Sequence, residues 1–258
     1  MDPVDNVPID RKQYAFSVIN PHDNSANLSG DYLADLDALP EAARKRFRDG
    51  EYVADDDKAL WRRDFFNGKV RLKEDGRLPE DMRRIVVAVD PAASDEPGSD
   101  ETGIVVASIG VSGKGYVIAD ESGRYRPEEW AKKAVAAYKR WGADRIIGEK
   151  NNGGDMVEAV IRAQDPTVSY NAVWASRGKV TRAEPVAALY ELGKVSHLVG
   201  LNDLEDQCCA VTRDFDRKAA GYSPDRVDAL VWAITELFPE LSAPKTPQHI
   251  PLPQFSMI

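Results

Sequence analysis

Residues 85–91 read Ile85-Val86-Val87-Ala88-Val89-Asp90-Pro91, and the fold class turns on them. Four of the five apolar residues are β-branched, which suits a strand. The absence of polar alternation marks a strand covered on both faces. Asp90 ends the run, and Pro91, which has no N–H to give to a ladder, stops the pairing. Moving outward, Thr102 to Ile109 and Gly115 to Ala119 read as two further strands turned around Ser112–Gly113. Pro127 to Trp141 reads as a helix, with proline in its first turn and Gly142 past its end. Arg145-Ile-Ile-Gly is a fourth strand, Gly154 to Ala163 a helix, Val168 to Trp174 a fifth strand. Arg182 to Leu192 is a helix closed by Gly193, Leu204 to Asp214 is helical, and Pro224 to Phe238 is an amphipathic helix. A three-strand meander followed by alternating helices and strands predicts an α/β domain with a mixed sheet over residues 84–238, unlike the uniform βαβ repeat of a dinucleotide-binding fold.

Residues 1–80 are polar, rich in Asp and Arg, and poor in strand signals. Tyr32, Leu33, Leu36 and Leu39 give one short helical stretch and Pro40 to Asp49 a second, so this region is expected to be a small helical appendage or linker. Residues 239–258, with their repeated prolines, are expected to form a flexible arm. The start, Met1 to Asp10, has neither a basic nor an apolar stretch, so no secretory signal is expected, and no apolar run approaches the roughly 20 residues of a membrane span.

A 258-residue chain that is 43% hydrophobic and 30% charged can bury a full core under a solvated surface. Cys208 and Cys209 are adjacent, which disfavours a disulfide, and two cysteines cannot build a structural zinc site alone. His22, His197 and His249 match no metal-ligand spacing. Any metal must therefore be held by oxygen, which favours magnesium or manganese. The net charge of −9 argues against a generic basic nucleic-acid binder. It leaves room for an enzyme whose clustered carboxylates hold metal ions.

Those carboxylates fall at telling places. Asp90 ends the first strand, Glu149 ends the fourth, and Asp225 and Asp228 occupy the first two turns of the last helix. On that helix Val227, Leu230, Val231, Ile234 and Phe238 form one stripe; Asp228 falls beside it and Asp225 on the same side. Both acids can lean over the sheet rim toward Asp90 and Glu149. Converged carboxylates repel one another unless cations neutralise them. Their natural use is to hold two divalent ions about 4 Å apart for phosphodiester hydrolysis. Each acid alone has a plain structural explanation, as a turn, loop or helix-start residue; the joint placement carries the inference.

Three stretches together resemble a known family. Val-Ala-Val-Asp90-Pro, Ile-Ile-Gly-Glu149-Lys-Asn-Asn-Gly-Gly and Ser223-Pro-Asp-Arg-Val-Asp-Ala-Leu are similar, in order, to the nuclease domain of phage terminase large subunits. Between them, the segments beginning Ser176-Arg-Gly-Lys, Val195-Ser-His-Leu and Leu204-Glu-Asp also resemble it. The resemblance implies a ribonuclease H-like fold and a metal-dependent endonuclease that cuts double-stranded DNA during genome packaging, with two Mg2+ or Mn2+ ions. Carried over by position, Asp90, Glu149 and Asp225 look like the central ligands. Asp228 resembles the second acid of the related Holliday-junction resolvases, and Asp100 an accessory acid. The implied partners are a packaging ATPase domain or subunit, the terminase small subunit and the capsid portal, with no membrane, in the cytoplasm of a phage's host.

Asp31-Tyr-Leu to Arg48-Asp-Gly-Glu-Tyr resembles the segment that joins such an ATPase to its nuclease. The chain departs from a full-length terminase in having no Gly-x-x-x-x-Gly-Lys-[Ser/Thr] loop, so it is expected not to hydrolyse ATP by itself and to be a fragment or split subunit. Lys150, Arg177, Lys179 and Arg182 are the candidate phosphate contacts. Gly153 and Gly154 are candidates for close backbone approach to DNA. Trp130, Trp174 and Trp232 are assigned to the core, with base stacking as the lesser alternative. Alternatives are a junction resolvase or transposase-like nuclease, which would prefer branched DNA, and a non-catalytic portal-docking module, which would not need the acids. An actin-like ATPase would usually place Gly-Thr where Pro91-Ala-Ala-Ser stands.

Overall fold

Val86 and Ala88 lie in one hydrophobic cluster and Val87 and Val89 in another, so the central strand is indeed covered on both faces. The computed structural model describes residues 21, 27–28, 30–37, 48, 58–91, 101–150, 154–175 and 178–241. Its sheet has six strands in the order β5-β4-β1-β2-β3-β6. β1 (Met82–Asp90), β2 (Gly103–Gly110) and β3 (Gly115–Asp120) form the antiparallel meander. β4 (Arg145–Glu149) runs parallel beside β1, and β5 (Tyr170–Val173) parallel outside it. At the other edge β6 (Val195–His197) runs parallel to β3. The sheet is therefore mixed, as the meander and the later alternation require.

The chain divides into two units, Met1–Asp55 and Asp56–Ile258. Among the described residues of the first are α1 (Gly30–Asp37), with Leu36 buried, and an ion pair from Arg48 to Asp37 at 3.0 Å. The second unit holds the sheet. α2 (Pro127–Trp141) and α3 (Gly154–Gln164) cover one face, where Trp130, Ala134 and Ile161 meet Val87, Ile104 and Ile146. The other face packs under α4 (Lys179–Glu191), α5 (Asn202–Ala210) and, after the short α6 (Arg217–Ala220), α7 (Asp225–Leu237). There Val186, Leu204, Leu230 and Ile234 meet Val86, Ala88, Val105 and Ile147. Each fully buried Val, Leu or Ile contributes about 1.5–3 kcal/mol, so these two layers hold the sheet rim in place. Local signals agree: Glu129 accepts a hydrogen bond from the Arg126 N–H at 3.0 Å at the start of α2, and Gly142 ends it at φ 58°.

The segment before β1, which the sequence reading groups with the residues ahead of it, puts Trp61 and Phe66 into the core beside Tyr190. Val70 bridges Leu198 next to β6. The helix expected to run to Asp214 ends at Ala210 instead. Val211 is extended and its carbonyl accepts the Leu60 N–H at 2.9 Å, while Thr212 bridges Ala59, so pairing with the earlier segment outcompetes another helical turn. Trp130 and Trp232 are buried as expected, but Trp174 is 64% exposed. The strand counted as running to Trp174 stops at Val173, which leaves the indole beyond the sheet. Cys208 and Cys209 sit in α5 without a disulfide. Apart from Arg48, the expected helix at 40–49 lies outside the described residues, as does the arm after Leu241. Among the described residues, no helix is long and apolar enough to cross a membrane.

Candidate metal centre

Strand parity decides which acids face one another. Val86 and Ala88 point to the α4/α5/α7 layer, and Asp90 continues that even-numbered set. In β4, Ile147 points to the same layer and Glu149 follows two residues on. The parallel register pairs Val89 with Gly148, so Asp90 and Glu149 are the next residues on neighbouring strands. Both are nearly buried, at 7% and 8% exposure.

The last helix brings its acids to the same corner. Val227, Leu230, Val231 and Ile234 bury its apolar stripe, and Asp225 and Asp228 in its first turns are 5% and 4% exposed. The helix start can reach this corner because the strand residue beneath it is glycine. Gly103 is the ladder partner of Asp90, and a Cβ there would stand 2.0 Å from the Asp225 carbonyl oxygen. Arg226 pins the helix start to the neighbouring strand ends, reaching Glu101 at 2.8 Å and Asp120 at 2.6 Å. One carboxylate oxygen from each of Asp90, Asp225 and Asp228 then lies within 4.8 Å of the others, the one such cluster among the described residues.

Charge is the central fact of this corner. Burial, then the charges of Asp228 and Asp225, pushes the Asp90 carboxyl well above the usual carboxylate range. Burial raises Asp228 too, against the pull of Lys179 and Arg182. Lys179, from the first residue of α4, pairs with Asp228 and donates to Ser223 Oγ at 3.0 Å. Burial works against its charge, but Asp228, Asp90 and Asp225 outweigh that and hold its ammonium above the ordinary range. Arg182, one turn on, stands 3.5 Å from both Glu149 and Asp228, with its guanidinium 4.4 Å over the Trp232 ring. Trp232 also donates its indole N–H to Glu149 at 3.1 Å, which fixes that carboxylate. Glu149 thus joins the three aspartates through Arg182.

The donor set fits a hard divalent cation: buried carboxylate oxygens only, with neighbouring charges that raise the cost of ionising them together. The one histidine among the described residues near the sheet edge, His197, is committed elsewhere, bonded to Tyr190 at 2.7 Å and Glu205 at 3.2 Å.

Of the residues singled out from sequence, Asp90, Glu149, Asp225, Asp228, Lys179 and Arg182 come together here. Lys150 lies at the rim, one residue beyond Glu149. Asp100, Arg177 and Gly153 lie outside the described residues; Gly154 begins α3. Sequence reading missed Gly103, Arg226 and the Trp232 N–H. A glycine opening an otherwise apolar strand was the available signal for the first; the others depend on side chains meeting across the fold.

Arg182 gives a direct test of the charge balance. Arg182→Met keeps the aliphatic stem but leaves Glu149 and Asp228 without their shared cation. Urea unfolding in chelator is expected to show a loss of about 3–5 kcal/mol, with part recovered in saturating calcium. An unchanged midpoint would mean that Arg182 compensates nothing.

Residues 87–237, more than half of the chain, match the profile of a family described as the terminase RNaseH-like domain. A search of curated proteins returns no significant match. Among solved structures, the human cytomegalovirus terminase nuclease domain, manganese-soaked and inhibitor-bound, superposes with a TM-score of 0.52 at 13% identity, over 69% of this chain and 95% of that one. The nuclease domain of the large terminase subunit of bacterial virus Sf6 gives 0.52 at 16% identity, over 68% and 98%. A mutant of that Sf6 domain with manganese and β-thujaplicinol gives the same values. These likenesses show the ribonuclease H-like fold.

Proposed function

Because the chain belongs to the terminase RNaseH-like domain family, we propose that it is a metal-dependent endonuclease that cuts double-stranded DNA during viral genome packaging. The observation that carries the proposal is the convergence of Asp90, Asp225 and Asp228 at one buried corner, with Glu149 alongside. A divalent-metal requirement is supported by the all-oxygen donor set and by the manganese in the cytomegalovirus and Sf6 relatives.

Asp90, Asp225, Asp228 and Glu149 would hold the ions, two by our reading. Metal bound there would supply an activated water and stabilisation of the leaving oxygen. The chain's own residues do the rest. Arg182 and Trp232 orient Glu149, Lys179 balances Asp228, and the Gly103 contact and Arg226 fix where α7 places its acids. Lys150 and Lys179 at the rim, with Arg182 and Arg177, would meet phosphates flanking the cut. DNA would be delivered by a packaging ATPase, with the terminase small subunit and the capsid portal as further partners.

The test is conversion of supercoiled plasmid to nicked and linear forms. Cutting is expected with magnesium or manganese and none with chelator. Cutting undiminished by chelator, or no cutting even with manganese and excess protein, would overturn the proposal.

A further inference from the structure

An α-helix leaves the N–H groups of its first turn without partners inside the helix, and a side chain at its start usually accepts one of them. In α7 that place is taken by Pro224, which offers no side-chain acceptor. The Val227 N–H is met from another helix instead: Gln207 Oε1, on α5, accepts it at 3.1 Å. Val227 lies between Asp225 and Asp228, in the turn that carries both acids. α5 is a firm support for this bond. Leu204 and Cys208 are fully buried in the core, Asp206 pairs with Arg63 at 2.6 Å, and Glu205 pairs with Lys69 at 2.8 Å and meets His197 at 3.2 Å. Just past the helix, the Val211 carbonyl accepts the Leu60 N–H. Gln207 is itself half-buried, so its side chain can be changed without opening the core.

Resting on the metal-dependent nuclease reading above, we propose that Gln207 is a positioning residue for the metal centre, its side-chain oxygen fixing the first turn of α7 so that Asp225 and Asp228 can share an ion with Asp90. The other constraints on this turn act differently. Gly103 sets how closely the turn approaches the sheet, and Arg226 ties it to Glu101 and Asp120 through a long side chain. The bond from Gln207 holds the backbone itself, from the side of α5. Losing a partner that orients metal-binding groups from outside the ligand set weakens metal binding by about 10–100-fold. Gln207 carries no charge and so acts through geometry. Methionine, of equal length, deletes the acceptor and leaves the net charge of the corner as it is.

The experiment titrates the full chain with manganese, reading the free ion by electron paramagnetic resonance, and measures plasmid cutting at each concentration. Gln207→Met is expected to weaken manganese binding about ten-fold and to raise the manganese needed for half-maximal cutting by the same factor. Its maximal rate is expected to stay within about three-fold of wild type. In chelator its thermal midpoint is expected to fall by only about 2–4 °C, as for the loss of one helix cap. Gln207→Glu keeps an acceptor of the same reach and adds a charge that favours a cation, so it is expected to bind manganese at least as tightly as wild type. A Gln207→Met protein that binds manganese as wild type does would overturn the positioning role and leave the nuclease reading intact. Gln207→Glu binding as weakly as Gln207→Met would overturn it too, because the accepting atom would then not matter. A wild type that neither binds manganese nor cuts DNA would overturn both.

Discussion

Asp90→Asn is expected to lower metal-dependent plasmid cutting by about 10³-fold or more, with no loss of folded stability in chelator. The two halves of that expectation share a cause. Asp90 is buried beside Asp225 and Asp228, and these surroundings push its carboxyl well above the ordinary range. Asparagine has the same shape but no charge, so it relieves repulsion in the metal-free protein and weakens the affinity for a divalent ion. Single-turnover cutting and thermal unfolding, each with and without manganese, read the two halves separately. Wild type is expected to be stabilised by manganese and the variant much less. Cutting within about ten-fold of wild type would remove Asp90 from the catalytic set.

Gly103→Val is expected to cost more than about 3 kcal/mol and to eliminate cutting with it. A Cβ at this position meets the Asp225 carbonyl oxygen at 2.0 Å, its carbon at 2.6 Å and the Ala229 Cβ at 3.0 Å. Two of these are backbone atoms of a helix whose inner face is packed, so the start of α7 must move off the sheet and carry Asp225 and Asp228 away from Asp90. Gly113→Ala is the control. Its glycine turns the β2–β3 hairpin at φ 82° with open space around it, so alanine strains the backbone by only about 1 kcal/mol and leaves the acids in place. Urea unfolding and plasmid cutting of the two variants check this. A Gly103→Val protein as stable and active as the control would show that the close approach is not needed.

The central part of the fold was legible because its signals are local and repetitive. The uninterrupted run Ile85 to Val89 announces a strand covered on both faces, and Gly142 and Gly193 punctuate two helices where left-handed residues are found. The acids were legible because Asp90 and Glu149 end strands and Asp225 and Asp228 stand at the start of a helix. Where sequence reading failed, the deciding interaction lay far along the chain. β6 has three residues, too few for a period, and pairing with β3 makes it a strand. The helix expected to reach Asp214 is cut short by pairing to Ala59 and Leu60. Trp174 continues the apolar pattern of β5, and composition alone cannot show that the sheet ends one residue earlier. The roles of Arg226 and Trp232 arise only when α7 is laid across the strand ends.

The most direct test of the account is anomalous diffraction at the manganese edge from crystals soaked in that metal. Manganese peaks are expected within coordinating distance of the Asp90, Asp225 and Asp228 carboxylates, about 2.0–2.3 Å. A fully soaked crystal with no peak at those three aspartates, or with manganese bound only elsewhere, would contradict it.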